Sequence, residues 1–218
     1  MKKLLRYILL IIFVCLNAGL VAFALKVNVG VDAWAASSQS LAQLCHIQVG
    51  TMEMFLNCFC VFLQMLILRK EFRVVQLVQI PLSILIGYMI NFVYYDILIF
   101  DFTNYYIRLS IIIIFYLLSA FVVAGILILD EVTYPLEGLC IVIQSKTNFS
   151  FSKIRQSVDI FCILMSICLS LIFHLPFSIR EGALIGMFIF GPTIDFAMKK
   201  EKQWIHTLII KTKRYKNT

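Results

Sequence analysis

The chain has 218 residues, 61% hydrophobic and only 14% charged, against about 45–50% and about 25% in a soluble domain. Mean hydropathy is +0.94, which excludes a soluble globular enzyme and a disordered chain and points to a multi-pass membrane protein. The formal charge of +7 gathers between apolar runs, the pattern that orients spans in a bilayer rather than one that grips nucleic acid.

A helix crosses the hydrocarbon core with about 20 apolar residues. By that measure six spans are predicted, over 4–25, 50–68, 74–94, 107–129, 154–173 and 182–198. Lys2, Lys3 and Arg6 before the first run, with Ala22-Phe23-Ala24 after it, look like a signal peptide. The run is long for one and recurs in mid-chain, so it is read as a span. Segment 33–48 is too polar to face lipid, and 134–144 is apolar but too short to cross. Both read as interfacial or re-entrant helices, tolerated where protein or a wet cavity covers them. Pro81 is expected to kink the third span, and Pro192 after Gly191 to loosen the sixth. Trp34, Tyr94, Tyr95, Tyr105 and Tyr106 are expected in outer interfacial belts. Cys15, Cys58, Cys60, Cys162 and Cys168 fall in apolar runs and read as small hydrophobes.

The tail 199–218 carries seven basic residues against Glu201, and Trp204, Ile205, Leu208 and Ile209 share one helical face. It reads as an amphipathic helix on anionic inner-leaflet lipids. With the tail inside, 16 Lys and Arg lie inside and 3 outside (Lys26, Arg108 and Arg180). Both termini are therefore expected in the cytoplasm, with an even number of crossings.

A shift of 102 residues lays Arg6 on Arg108, Phe13 on Phe115, Leu16 on Leu118, Ala18 on Ala120, Ala22 on Ala124, Phe59 on Phe161 and Cys60 on Cys162. With two more residues inserted, Gly87-Tyr-Met-Ile-Asn-Phe92 falls on Gly191-Pro-Thr-Ile-Asp-Phe196. Three crossings per half is an odd number, so the second half enters from the opposite side. The expected fold is all-α: six transmembrane helices in two inverted three-helix repeats, each with a short interfacial or re-entrant helix. Residues 1–102 form the first repeat, 103–198 the second, and 199–218 the basic tail. Such repeats are common in transporters, with sites at the repeat interface, and they also make plain bundles.

Glu53 and Asn57 lie one turn apart in the second span, Arg155 and Asp159 one turn apart in the fifth. The repeat shift relates Glu53 to Arg155 and Asn57 to Asp159, an acid to a base. Charges at membrane depth need partners or water. These four read either as a substrate or ion pathway between the halves, or as interfacial residues paired locally. Gln64, Gln76 and Gln79 read as packing or interfacial groups, and Asp195 as a carboxylate beside the site or at headgroup level. The start of the short helix at Pro135 offers free amides, but Glu137 there disfavours an anionic ligand. No metalloprotease, P-loop or nucleophile-elbow motif is present, and His46, His174 and His206 do not form a metal set. The chain is thus not expected to be an enzyme or to carry a cofactor.

Three stretches carry a family likeness: Gly30-Val-Asp-Ala-Trp34 after the first span, Val49-Gly50-Thr51 at the entry to the second, and Arg180-Glu-Gly182 running to Gly191-Pro192-Thr-Ile-Asp195 in the last. With them the chain resembles the YczE/YyaS/YitT family of bacterial integral membrane proteins, and within it the YczE branch. Trp34 is kept, Ala33 replaces a proline and Ala35 an acid, and Asp32 offers a nearby carboxylate. Pro135 and Glu137 keep the proline and acid of the second-half counterpart, without its arginine. The resemblance implies a motif set of Asp32, Trp34, Pro135, Glu137, Gly191, Pro192 and Asp195, and a multi-pass protein of the bacterial cytoplasmic membrane. Two functions are expected from all this. One is a small secondary transporter or permease for an unknown solute or ion, working as a homo-oligomer. The other is a non-transporting membrane protein that supports a partner.

Overall fold

A computed structural model of the chain describes residues 2–99, 104–129 and 133–183, with 185, 186, 189, 193, 194, 196 and 197 beyond them. Eight of the 17 residues of the predicted sixth span, Gly191, Pro192 and Asp195 among them, and the whole basic tail lie outside the described residues. The described chain is helical. In order come α1 (Lys2–Val27), α2 (Ala33–Cys45), α3 (Val49–Leu68), α4 (Gln79–Asn91), α5 (Tyr105–Leu129), α6 (Pro135–Lys146) and α7 (Phe151–Phe173). Among the described residues five helical stretches are long and apolar enough to cross a membrane: Leu5–Val27, Val49–Glu71, Val74–Ile97, Tyr105–Ile126 and Lys153–Phe173. Their outer faces carry exposed Phe55, Phe59, Phe62, Ile160, Phe161 and Leu164, as lipid-facing helices do when the backbone is satisfied internally.

The order long, short, long, long opens again at α5, and element starts recur near the 102 offset: Ala33 and Pro135, Val49 and Phe151. Burial follows the same offset. Leu16 and Leu118 are exposed, whereas Ala18 and Ala120, Ala22 and Ala124, and Cys60 and Cys162 are all within 3% of complete burial. The alanines let α1 and α5 approach closely, as small residues do between membrane helices. Phe23 stacks on Phe115 with ring centroids 4.6 Å apart, and Phe13 lies against Gly125. These contacts run in opposite directions along the two helices, so α1 and α5 cross antiparallel. The shift by 102 converts the first pair into the second.

Helices α2 and α6 have 13 and 12 residues, about 18–20 Å, too short to span about 30 Å of hydrocarbon. Protein covers them: α2 lies chiefly on α7, and α6 chiefly on α3. Ala36, Ser37, Ser38 and Ser40 of α2 and Cys162, Ser166 and Ser170 of α7 are buried, and Ser37 hydrogen-bonds to Cys162 across the two helices.

Two expectations are corrected. Pro81 is the third residue of α4, which follows a 3-10 stretch over Val74–Val78. It stands in the first turn, where a missing N–H costs little, so it starts the α-helix rather than kinking it. Trp34 is not in an outer belt. It packs against the cluster of Cys60, Leu136 and Leu139, which joins α3 and α6 and also carries Val158 of α7 at its edge.

Candidate functional site

The two short helices begin at one place. Asp32 caps α2, its Oδ2 accepting the Ala35 N–H at 3.4 Å. The Ser37 and Ser38 hydroxyls donate back to the Trp34 carbonyl. Tyr134 precedes α6, which opens on Pro135, a residue whose fixed φ suits a first turn. Trp34 from the α2 entry touches the cluster that holds Leu136 of the α6 entry.

Each entry is tied down by polar bonds from other elements. The α6 entry rests on a glutamine pair: Gln64 Nε2 of α3 donates to Gln79 Oε1 and to the Pro135 carbonyl, both at 2.9 Å. Gly138 lets α6 cross the pair, because a Cβ there would sit 3.0 Å from Gln64 Nε2. The α2 entry is held by residues 180–183. The Gly182 N–H donates to the Val29 carbonyl at 2.9 Å, and Arg180 Nη1 to the Asn28 carbonyl at 2.8 Å. Gly30 has φ 116° and lies against the backbone of Arg180 and Ala183, where any side chain would collide. Two stretches that carry the family likeness thus meet in space.

Around these entries stand the charges. Arg155, on the second turn of α7, has Nη2 at 3.5 Å from Asp159 Oδ1, one turn along its own helix. Its Nη1 is 3.9 Å from Glu137 Oε1 of α6. Asp32 lies within electrostatic reach of both Arg155 and Glu53. Asp32 stands on the connection before α2; burial pushes its carboxyl up from the usual range, while Arg155 and the amides of Ala35 and Trp34 pull against that. Glu53 and Asn57 are buried on α3. Glu53 Oε2 is sealed from solvent and makes no hydrogen bond.

The sequence-predicted residues therefore divide. Arg155, Asp159, Glu137 and Asp32 come together around the start of the short helices, and Glu53 joins them through Asp32. Asn57 lies one turn below Glu53 with no hydrogen bond to the cluster. Trp34 and Pro135 frame the entries. A concavity of about 280 Å³ lies elsewhere, lined by Leu25, Lys26, Asn28, Gln39, Gln43 and Arg180 among others, and none of the cluster charges lines it. Among the described residues, no group of three or more His, Cys, Asp and Glu is placed to hold a metal.

Sequence reasoning missed Asn91 of α4. Its Oδ1 accepts the Gly50 N–H at 2.8 Å and its Nδ2 donates to Thr51 Oγ1 at 2.9 Å. It caps α3 from outside, where Gln48 supplies no side-chain cap. The signal was in reach: the repeat comparison had already singled out Gly87 to Phe92.

The sequence model of a family described as a family of unknown function (DUF6198) matches residues 4–199, and the chain belongs to that family. No curated protein and no solved structure matches the chain.

Proposed function

We propose that this protein is a small secondary transporter or permease of the bacterial cytoplasmic membrane, built from two inverted repeats with its site between them. One observation carries the reading: Asp32, Glu137, Arg155 and Asp159 gather where two short helices from different halves begin, with buried Glu53 coupled to them. Ionisable groups at membrane depth mark solute or ion pathways, and half-helix ends meeting at a repeat interface are where carriers bind. The antiparallel crossing of α1 and α5 supports the inverted relation, and the YczE-like motifs support the membrane family. In this reading residues 182–198 form the sixth span, both termini are cytoplasmic, the tail 199–218 rests on anionic lipid, and the protein works as a homo-oligomer. The solute or ion is small. No enzymatic step and no cofactor enter the reading.

The test is flux. The full chain is reconstituted into liposomes, and uptake of inorganic cations, inorganic anions and neutral solutes is compared with protein-free vesicles. Movement that falls with Asp159→Asn supports transport. Vesicles no leakier than the lipid alone overturn it.

A second reading has its own observation: Arg155 is already paired with Glu137 and Asp159, and the 280 Å³ concavity lies away from them. A membrane protein that only supports a partner would keep its charges paired in this way. It would give no flux and would be recovered from detergent extracts with a stoichiometric companion.

A further inference from the structure

Glu53 is the acid of the cluster with a sealed carboxyl oxygen and no ion pair among the described residues. Its exposure is 7%, its Oε2 is closed to solvent with no hydrogen-bond partner, and the only other sealed, unbonded polar atom of the described cluster side chains is the cation's own Arg155 Nη1. The charged and titratable groups around it come from each packed element. Asp32 precedes α2, Tyr134 precedes α6, and both lie in electrostatic reach of Glu53. Glu137 stands on α6, and Arg155 and Asp159 stand on α7 beyond it. Helix α4 contributes no acid or base of its own beyond the exposed Tyr88. The nearest cation in the cluster, Arg155, is engaged by Glu137 and Asp159.

An ionised carboxylate in such a place loses hydration that no protein donor replaces at its sealed oxygen. Neighbouring Asp32 adds repulsion. A neutral acid avoids both. A divalent cation would relieve the charge too, but it favours several charged ligands, and among the described residues no group of three or more His, Cys, Asp and Glu is placed to hold one.

We infer that Glu53 is a proton-carrying group: the closed arrangement holds it as the neutral acid, and opening the site to water lets it release and regain that proton. In the release step the carboxyl O–H bond breaks, its electron pair stays on Glu53, and the proton passes to water. The cluster then carries one more negative charge until a proton or another monovalent cation arrives. The protonation itself needs no transport. Only its use as the coupling step rests on the carrier reading above.

The experiment separates the two. The purified full chain in lipid nanodiscs is treated with dicyclohexylcarbodiimide, which adds to protonated, apolar carboxyls, and the labelled peptide is located by mass spectrometry. Expected is modification at Glu53 at mildly acidic pH, falling by about tenfold per pH unit once the proton is lost. No labelling at Glu53, or labelling indifferent to pH, overturns the inference, and this arm uses the wild-type chain alone, so no variant has to fold. Infrared spectra of the same sample should show a protonated-carboxyl band that Glu53→Gln removes and Glu53→Asp keeps. In liposomes with a trapped pH dye, solute-driven proton movement that Glu53→Gln abolishes completes the coupling claim. Labelling without any flux keeps the proton-carrying group and removes the carrier. Flux without labelling does the reverse.

Discussion

Ser119 donates its hydroxyl to Asn17 Oδ1 at 2.6 Å, and the two residues are 102 apart, the repeat offset itself. Equivalent positions of two halves touch each other only where an axis relating the halves passes. The bond falls between the Phe23–Phe115 and Phe13–Gly125 contacts along both helices, and in the proposed inverted-repeat reading it would mark that axis. It is also a polar bond set in the middle of an apolar crossing.

A bond of this kind between membrane helices is worth about 0.6 kcal/mol on average and at most about 1.7 kcal/mol. A double-mutant cycle of Asn17→Ala and Ser119→Ala, read by thermal unfolding in detergent, should give a coupling in that range. The exchanged variant, Asn17→Ser with Ser119→Asn, should recover most of the loss, because the two sites are near-equivalent. Strict additivity would contradict the bond.

Gly50 and Gly87 bring the backbones of α3 and α4 together. A Cβ on Gly50 would lie 2.2 Å from the Gly87 carbonyl oxygen, and one on Gly87 would lie 2.4 Å from that of Gly50. Neither obstacle is a flexible side chain. Gly50→Ala and Gly87→Ala should each destabilise by about 1–3 kcal/mol or more. Gly19 has nothing within 4 Å of its added Cβ, so Gly19→Ala should be neutral or stabilising by up to about 1 kcal/mol. Melting temperatures of the three variants check the contrast.

Arg155 separates two carboxylates. Arg155→Gln would leave Glu137 and Asp159 with no cation between them. Removing one partner of a fully buried pair costs about 3–5 kcal/mol, and Arg155 is about a quarter exposed, so about 1–2 kcal/mol is expected. Arg155→Lys keeps the charge but not the fork that reaches both acids, and should fall between. Adding Glu137→Gln to Arg155→Gln should recover part of the stability, a rescue that thermal unfolding would detect.

Topology has a direct test. Cys45 is exposed, but Cys140 is buried in the core and cannot report on a side of the membrane. The exposed turn at Asn148, just after α6, can. In a background without other cysteines, an impermeant thiol reagent should label Cys45 from outside. It should reach Asn148→Cys only after the membrane is opened. Labelling of both from outside would refute the inverted arrangement.

How far the sequence could be read depended on the kind of force involved. Apolar runs report burial in lipid directly, so the described spans appear close to their expected places, and the short helices appear where polarity and length forbade a crossing. The 102 offset was legible because residue identities themselves recur at it. The meeting of Asp32, Glu137, Arg155 and Asp159 was legible only in part. The i,i+4 pair on α7 follows from helix geometry, whereas Glu137 beside Arg155 depends on how α6 lies against its neighbours. The Trp34 expectation failed for a related reason: a tryptophan near a span end usually marks the interface, but here the chain turns back and carries it into the protein. Asn91 and the Gln64–Gln79 pair were invisible as caps and clamps, because a polar side chain in an apolar run announces a need for a partner without naming one.

The placement of α2 and α6 has a mechanical meaning. Each short helix is joined by the chain to one half yet leans mainly on a span of the other, α2 on α7 and α6 on α3. The Gly182–Val29 backbone bond fastens the same exchange at its root. The two halves are interlocked, like hands with one finger crossed over. Sliding one sequence half as a block past the other would strip both crossed helices from their seats. A movement that leaves both seats intact would keep α2 with α7 and α6 with α3.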